Sequence, residues 1–203
     1  MFLKRKNIVI ILFIGIIFFG SLSLVFYSCV NTSKNSQSHN GNNSSNAVTE
    51  LIFNFNRQSG HASNQFALWI EDSNGQYIKT IYATRYTASG GWRRRETSLP
   101  LWVKQSNLSR KNNTEIDVLT SATPRSGNLI YYWDGTNSLG EAVSDGNYVI
   151  ILEGTLRWEN QAYYRAPLHL GQGVSIPEVS IEYIGDAGDD RDMINNVIVR
   201  VLR

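Results

Sequence analysis

Residues 66–83, FALWIEDSNGQYIKTIYA, contain two short apolar runs, 66–71 and 77–83, on either side of the turn sequence DSNG. An Asn-Gly pair between two such runs is a strong β-hairpin signal, because a type I′ turn needs positive φ at both central positions. Outside this stretch, similar runs recur at 51–55, 115–119, 128–133, 148–153, 161–170, 174–184 and 193–202. No stretch of the body keeps helical apolar spacing over three turns, so we predict an all-β domain.

Residues 49–203 are numerous enough to form one hydrophobic core. Their short runs and Gly-marked turns predict a single Ig-like or fibronectin-type-III-like β-sandwich of about 7–9 strands. The unusual segment is 84–114, which is too long and too irregular for a hairpin loop. Long ordered loops in compact domains are often functional, so this segment is the first place to look for a site.

The N-terminus has the pattern of an export signal, with three basic residues at 4–6 before the apolar stretch 8–19. The sequence Phe26-Tyr27-Ser28-Cys29 resembles a bacterial lipoprotein signal, although Tyr27 stands where a small residue is usual. The resemblance implies that residues 1–28 are cleaved and that Cys29 carries a lipid anchor of the palmitate type. Alternatively, 8–27 is a transmembrane anchor that Cys29 merely ends. Both alternatives place residues 30–203 in the cell envelope, facing the periplasm or the exterior.

The composition bounds the remaining possibilities. Residues 30–47 are almost wholly Asn, Ser, Thr, Gln and Gly, which predicts a flexible tether at 29–48. A single cysteine excludes a disulfide framework and a cysteine-clustered metal centre. The net charge is +2, and three of the 19 basic residues lie in the export signal. We therefore predict no nucleic-acid partner.

Two resemblances concern the body of the chain. Residues 133–137, WDGTN, followed by Gly140 and by DGNY at 145–148, are similar to the Ig-like module of the flagellar hook-capping protein. Residues 67–72, ALWIED, then 116–124, IDVLTSATP, then the Trp133 motif and Glu153, together resemble a domain-of-unknown-function family of predicted periplasmic proteins. This second resemblance covers most of 49–171. Members of that family occur with flavin-transferase and PepSY-type membrane proteins, which implies an envelope partner near flavin or redox enzymes.

The most distinctive local cluster lies in the long segment. Trp92 precedes Arg93, Arg94 and Arg95, and Trp102 follows seven residues later. Three guanidinium groups beside two indoles can clasp a carboxylate or phosphate and stack on a planar ring. The alternative is that both tryptophans pin the long segment onto the core while the arginines face water or pair with acids.

Two further clusters have a ligand-binding and a structural explanation. Asp117, Thr120 and Thr123 belong to a small polar loop, which can expose backbone N–H groups to an anion or can hydrogen-bond to itself. The acidic turn 186–192, which follows Gly185 in the sequence GDAGDDRD, contains four aspartates. Their carboxylates could bind calcium, but their spacing matches no EF-hand. A solvated hairpin tip is the alternative for that turn.

The chain contains none of the nucleophile, phosphate-loop, dinucleotide or zinc-protease motifs, and its three histidines are far apart in sequence. We therefore predict a non-catalytic envelope lipoprotein without metal or cofactor. It acts as a binding or accessory module, with a flavin- or redox-linked membrane protein as the implied partner. The alternative is a lipoprotein that binds an anionic or aromatic small molecule or a glycan through the Trp92–Arg95/Trp102 loop. A hydrolase assembled around His61 or His169 is a third class.

Overall fold

The computed structural model of the chain describes residues 37–38, 46–60, 62–110, 120–186 and 188–203. All of them belong to the compact unit that spans Ser33–Arg203. The predicted signal at 1–28, Cys29, most of the predicted tether, His61, Asp117 and the predicted strand at 115–119 lie outside the described residues.

Strands and short helices make up these residues. The strands are β1 Gln37–Ser38, β2 Thr49–Phe55, β3 Ala62–Asp72, β4 Tyr77–Thr84, β5 Thr120–Ser121, β6 Gly127–Trp133, β7 Gly146–Arg157, β8 Gln161–Leu170, β9 Ser180–Ile184 and β10 Ile194–Val201. The helices are α1 Arg85–Ala88 and α2 Pro100–Gln105, with 3-10 turns at Gly91–Arg93, Leu108–Arg110 and Gly188–Met193. One sheet has the order β1-β6-β2-β10 and the other has the order β5-β4-β3-β7-β8-β9. The predicted all-β sandwich is confirmed.

The main hydrophobic core lies between the two sheets. Alternate residues of β2 point into it, and Leu51, Phe53 and Phe55 are all buried. The ring of Phe66 from β3 lies 5.4 Å from that of Phe53 and 5.2 Å from that of Phe55, and it stacks on Tyr82 at 5.0 Å. The alternation seen in the sequence therefore separates the inner face of this sheet from its outer face.

A second hydrophobic core lies on the outer face of the six-stranded sheet, under residues 85–110, which we call the cap. Trp69 and Ile151 from the sheet pack there against Leu99, Trp102 and other cap residues. Residues 66–70 of β3 are consequently buried on both faces of the sheet. This two-sided burial explains why this segment of β3 is continuously apolar instead of alternating.

The predicted hairpin between β3 and β4 is confirmed, but the prediction of a type I′ turn is wrong. In this fully described turn only Gly75 has positive φ, at 77°. The Gly75 amide donates to the Asp72 carbonyl at 3.0 Å, and the Asp72 carboxylate accepts the amides of Asn74 and Gln76 at 2.8 Å each. The Asp72 side chain thus holds Ser73 and Asn74 in a type I turn, and only Gly75, the last residue of the turn, needs left-handed backbone.

The predicted strand at 174–184 is wrong in its first half, since β9 begins at Ser180. Pro177 has no amide to donate to a strand ladder, and before it only Ser175 forms a bridge, to Val201. The acidic turn is also not a hairpin tip. β9 and β10 belong to different sheets, so the segment containing Gly188–Met193 crosses from one sheet to the other.

The Trp133 motif follows the end of β6 and leads into β7. Trp133 ends β6, is buried, and donates its indole N–H to the Thr136 carbonyl at 2.8 Å. Its ring meets that of Tyr148 on β7 edge-on, with 5.5 Å between the ring centroids. None of the helices in the described ranges has the length and apolarity needed to span a bilayer.

Candidate functional site

A cavity of about 730 Å³ opens where β4 ends and the cap begins. We call it the arginine pocket. Its walls include three arginines together with a tyrosine, a glycine and an alanine from a separate loop: Arg85, Arg93, Arg94, Tyr86, Gly91 and Ala122.

The pocket owes its shape to the short helical turns that follow β4. Arg85 and Tyr86 lie on the single turn of α1, and Gly90, in left-handed backbone at φ 100°, leads into the next 3-10 turn. Gly91 packs directly against Tyr86, because a Cβ at Gly91 would lie 2.6 Å from a carbon of that ring. Glycine at this position therefore lets the two turns fold together with Tyr86 as one wall.

The pocket is electropositive. Arg85, Arg93 and Arg94 are all exposed, and in the described part of the chain no ion pair involves Arg93 or Arg94. The Arg93 guanidinium lies over the ring of half-buried Trp92 at 4.7 Å. This stacking restricts the Arg93 side chain without neutralising its charge, so the pocket has charged N–H donors to offer an anion.

The structure separates the five residues of the predicted Trp–Arg cluster. Arg93 and Arg94 line the pocket, and Trp92 supports Arg93. Arg95 points elsewhere, since its guanidinium donates to the Trp158 carbonyl at 3.0 Å. Trp102 is fully buried in the second core and donates its indole N–H to the Thr80 hydroxyl at 2.9 Å. The pinning alternative describes Trp102, and the clasping alternative suits Arg93 and Arg94.

The second predicted loop meets the first at this pocket. Ala122 lines it, and the Tyr82 hydroxyl donates to the Ala122 carbonyl at 3.0 Å. The backbone of Thr120 pairs with Ala83 as β5 joins the edge of the sheet beside β4. Thr123 is half-buried and is not among the lining residues.

Sequence reasoning missed Arg85 and Tyr86. Both lie in the long segment, but neither stands next to the Trp92–Arg95 cluster. A count of basic residues was the available signal, since residues 85–95 contain four arginines and no acid.

A buried carboxylate from the sheet holds the cap in place. Glu153 on β7 is fully buried and accepts the backbone amides of Trp102 at 2.7 Å and of Leu101 at 3.1 Å. The neighbouring Leu99 amide donates to the Thr155 hydroxyl at 2.9 Å. Burial raises the pKa of Glu153 to about 7, although the amides of Trp102 and Leu101 and the side chain of Tyr163 favour its charged form.

The remaining predicted candidates lie apart from the pocket. His169 is exposed on β8, with its Nδ1 2.7 Å from the side-chain oxygen of Asn147. The segment Gly188–Met193, which crosses between the sheets, carries aspartates, and we call it the acidic crossover. In it, Asp190 pairs with Arg157 at 3.6 Å, and the Asp192 carboxylate accepts the side-chain amide of Gln58 at 2.7 Å. Among the residues that the structure describes, no cluster of three or more His, Cys, Asp or Glu is arranged to hold a metal ion.

Comparison with known proteins places these features in a family. No curated protein and no solved structure matches the chain. The family model described as "Predicted periplasmic protein (DUF2271)" matches residues 47–185, a range that runs from just before β2 to just after β9 and includes the arginine pocket. The chain therefore belongs to the DUF2271 family of predicted periplasmic proteins.

Proposed function

We propose that this periplasmic-family protein is a non-catalytic binding module whose arginine pocket takes the anionic group of a ligand. The observation that carries the proposal is the convergence of Arg85, Arg93 and Arg94 on one open cavity. Guanidinium groups bind carboxylate and phosphate through two parallel N–H···O bonds, which gives both affinity and orientation.

The dimensions of the pocket suit a small molecule or the end group of a larger one. Its volume of about 730 Å³ falls within the range of about 300–1,000 Å³ typical of ligand sites. Tyr86, which is 47% exposed, supplies apolar wall area. The stacking of Arg93 on Trp92 reduces the side-chain entropy that binding would otherwise cost.

The proposal is tested by titrating the detergent-solubilised full chain with pyrophosphate and with citrate in a calorimeter. The double variant Arg93→Ala/Arg94→Ala should bind about a hundredfold more weakly or worse, because it loses at least two charge-assisted bonds that contribute about 1.5–3 kcal/mol each. The melting temperature should barely change, since both side chains are exposed. Arg165→Ala, which removes an arginine paired with Glu182 on the sheet, is the matched control.

Two results would contradict the pocket assignment. One is unchanged affinity for both anions in the double variant. The other is a large loss of melting temperature, which would make the arginines structural.

We further propose that the module is held at the membrane by a lipid on Cys29. The support is the sequence pattern at 26–29 together with the periplasmic family, since an exported protein with one cysteine after its apolar segment suits this modification. Labelled palmitate should be incorporated by the wild type and not by Cys29→Ser. Equal labelling of both proteins would exclude Cys29 as the anchor.

The accessory role for a flavin- or redox-linked membrane protein stays a prediction of the family resemblance. A crosslinked pull-down of the tagged full chain from its native envelope tests it. A reproducible partner of that kind would support the role, and a result without any partner would favour a free ligand for the pocket.

A further inference from the structure

One end of the sandwich carries a group of arginines. At the end where β2 and β4 finish, three loops (56–60, 85–99 and 122–126) carry six arginines and, by sequence, only one acidic residue, Glu96. The six are Arg57, Arg85, Arg93, Arg94, Arg95 and Arg125. We call this set the arginine arc. Arg95 is half-buried and the other five are exposed.

The opposite end is acidic. Its turns carry Asp72, Asp134, Glu141 and Asp145, and the nearby Lys79 is paired with Asp134 at 3.1 Å. The near-neutral composition of the body therefore conceals a local basic surface, the arginine arc, because the net charge sums over basic and acidic loops alike.

The arc is continuous with the arginine pocket. Ala122 lines the pocket, and Arg125 follows it by three residues, so their Cα atoms lie at most about 11 Å apart. The Arg57 amide donates to the hydroxyl of Ser126, the residue after Arg125, at 2.8 Å. The arc thus extends from the pocket on the six-stranded sheet to the end of β2 on the four-stranded sheet.

The acidic crossover bounds the arc beyond Arg57. There the side-chain amide of the next residue, Gln58, donates to the Asp192 carboxylate at 2.7 Å. A negatively charged ligand is repelled at that border, so a chain bound along the arc would lie between the crossover and the pocket.

We propose that the arginine arc binds an anionic polymer, a chain with repeating phosphate or carboxylate groups, with one of its charged groups in the pocket. This inference rests on the proposed function of the pocket. One small anion held in the pocket would leave Arg57 and Arg125 without a role, whereas a chain with repeating charges engages them in sequence. The basic residues of the three loops are all arginine, which favours oxyanions that accept two parallel hydrogen bonds.

The test compares long-chain polyphosphate with pyrophosphate, and polygalacturonate with galacturonate, on the detergent-solubilised full chain. Binding is expressed per charged group so that chain length alone gives no advantage. We expect the long chains of at least one chemistry to bind about tenfold more tightly per group, with an affinity that falls as salt rises. The chemistry that binds more tightly identifies phosphate or carboxylate as the natural group.

Variants separate the arc from the pocket. Arg57→Ala/Arg125→Ala should lose the gain with chain length and keep the affinity for pyrophosphate. Arg93→Ala/Arg94→Ala should lose both, and Arg203→Ala, beyond the end of β10, should lose neither. Melting temperatures of all variants establish that they are folded.

Each other outcome is decisive. Long-chain binding that Arg57→Ala/Arg125→Ala leaves intact would overturn the arc and leave the pocket standing. Absence of binding to every anion would overturn the pocket as well. Binding to phosphatidylglycerol vesicles without binding to either polymer would replace the polymer by a membrane surface.

Discussion

Glu153 shows how one residue fixes the position of a whole segment. Helix α2 begins after Leu99, which has left-handed backbone at φ 54° and no side-chain oxygen to cap the first amides. The Glu153 carboxylate from the sheet accepts two of these amides instead, at Leu101 and Trp102. A fully buried carboxylate is costly unless it is hydrogen-bonded, so the donors that stabilise Glu153 are the same groups that α2 needs to satisfy.

The stability of the protein should therefore depend on the protonation of Glu153. Its pKa rises from 4.5 in the unfolded chain to about 7 in the folded protein, mainly because burial disfavours the charge. The folded state then binds the proton more tightly, so this contribution to stability is complete below pH 4.5 and is lost as the pH rises through 7. The loss is about 3 kcal/mol at ~1.4 kcal/mol per pKa unit.

Urea unfolding between pH 5 and 8 measures this dependence. Glu153→Gln removes the charge and keeps one oxygen acceptor, so its unfolding free energy should change less over this window than that of the wild type. If the two proteins have the same slope against pH, Glu153 is not the group that titrates.

At the scale of elements, strands are predictable from this sequence because their apolar period is short. The alternation of Leu51, Phe53 and Phe55 is complete within five residues, and it locates β2 on the core. α1 and α2 have four and six residues, too few for a helical period of 3.6 to repeat. The sequence therefore marks the cap only as a long irregular segment.

The candidate site is only partly predictable, because a local sequence pattern does not show which distant segments meet in the fold. Its arginines at 93–94 are adjacent in sequence and stand out by composition, but Arg85 joins them only through the fold of the intervening turns. Ala122 reaches the same pocket because β5 pairs with β4, a contact between distant segments that no local pattern encodes. The assignment of Trp102 needed the structure as well, since an indole in a loop is equally suited to a ligand and to a core.

At the scale of the whole molecule, the two hydrophobic cores lie on opposite faces of one sheet. β3 contributes Phe66 and Leu68 to the core between the sheets and Trp69 to the core under the cap. β7 contributes to both in the same way, with Leu152 on one side and Ile151 on the other. Because neighbouring residues of the same strands serve both cores, loosening one core displaces the strands that form the other.

The cap and the sandwich should consequently unfold in one transition. Trp102→Ala removes one of the two fully buried tryptophans of the second core and should cost about 3–5 kcal/mol, which lowers the melting temperature by roughly 10 °C. Near-ultraviolet circular dichroism, which reports aromatic packing, should still melt together with the far-ultraviolet signal of the sheets. Trp158→Ala, which removes a tryptophan that is 57% exposed, is the matched control with a much smaller loss. An early aromatic transition in Trp102→Ala that leaves the far-ultraviolet signal intact would mean that the cap is an independent unit.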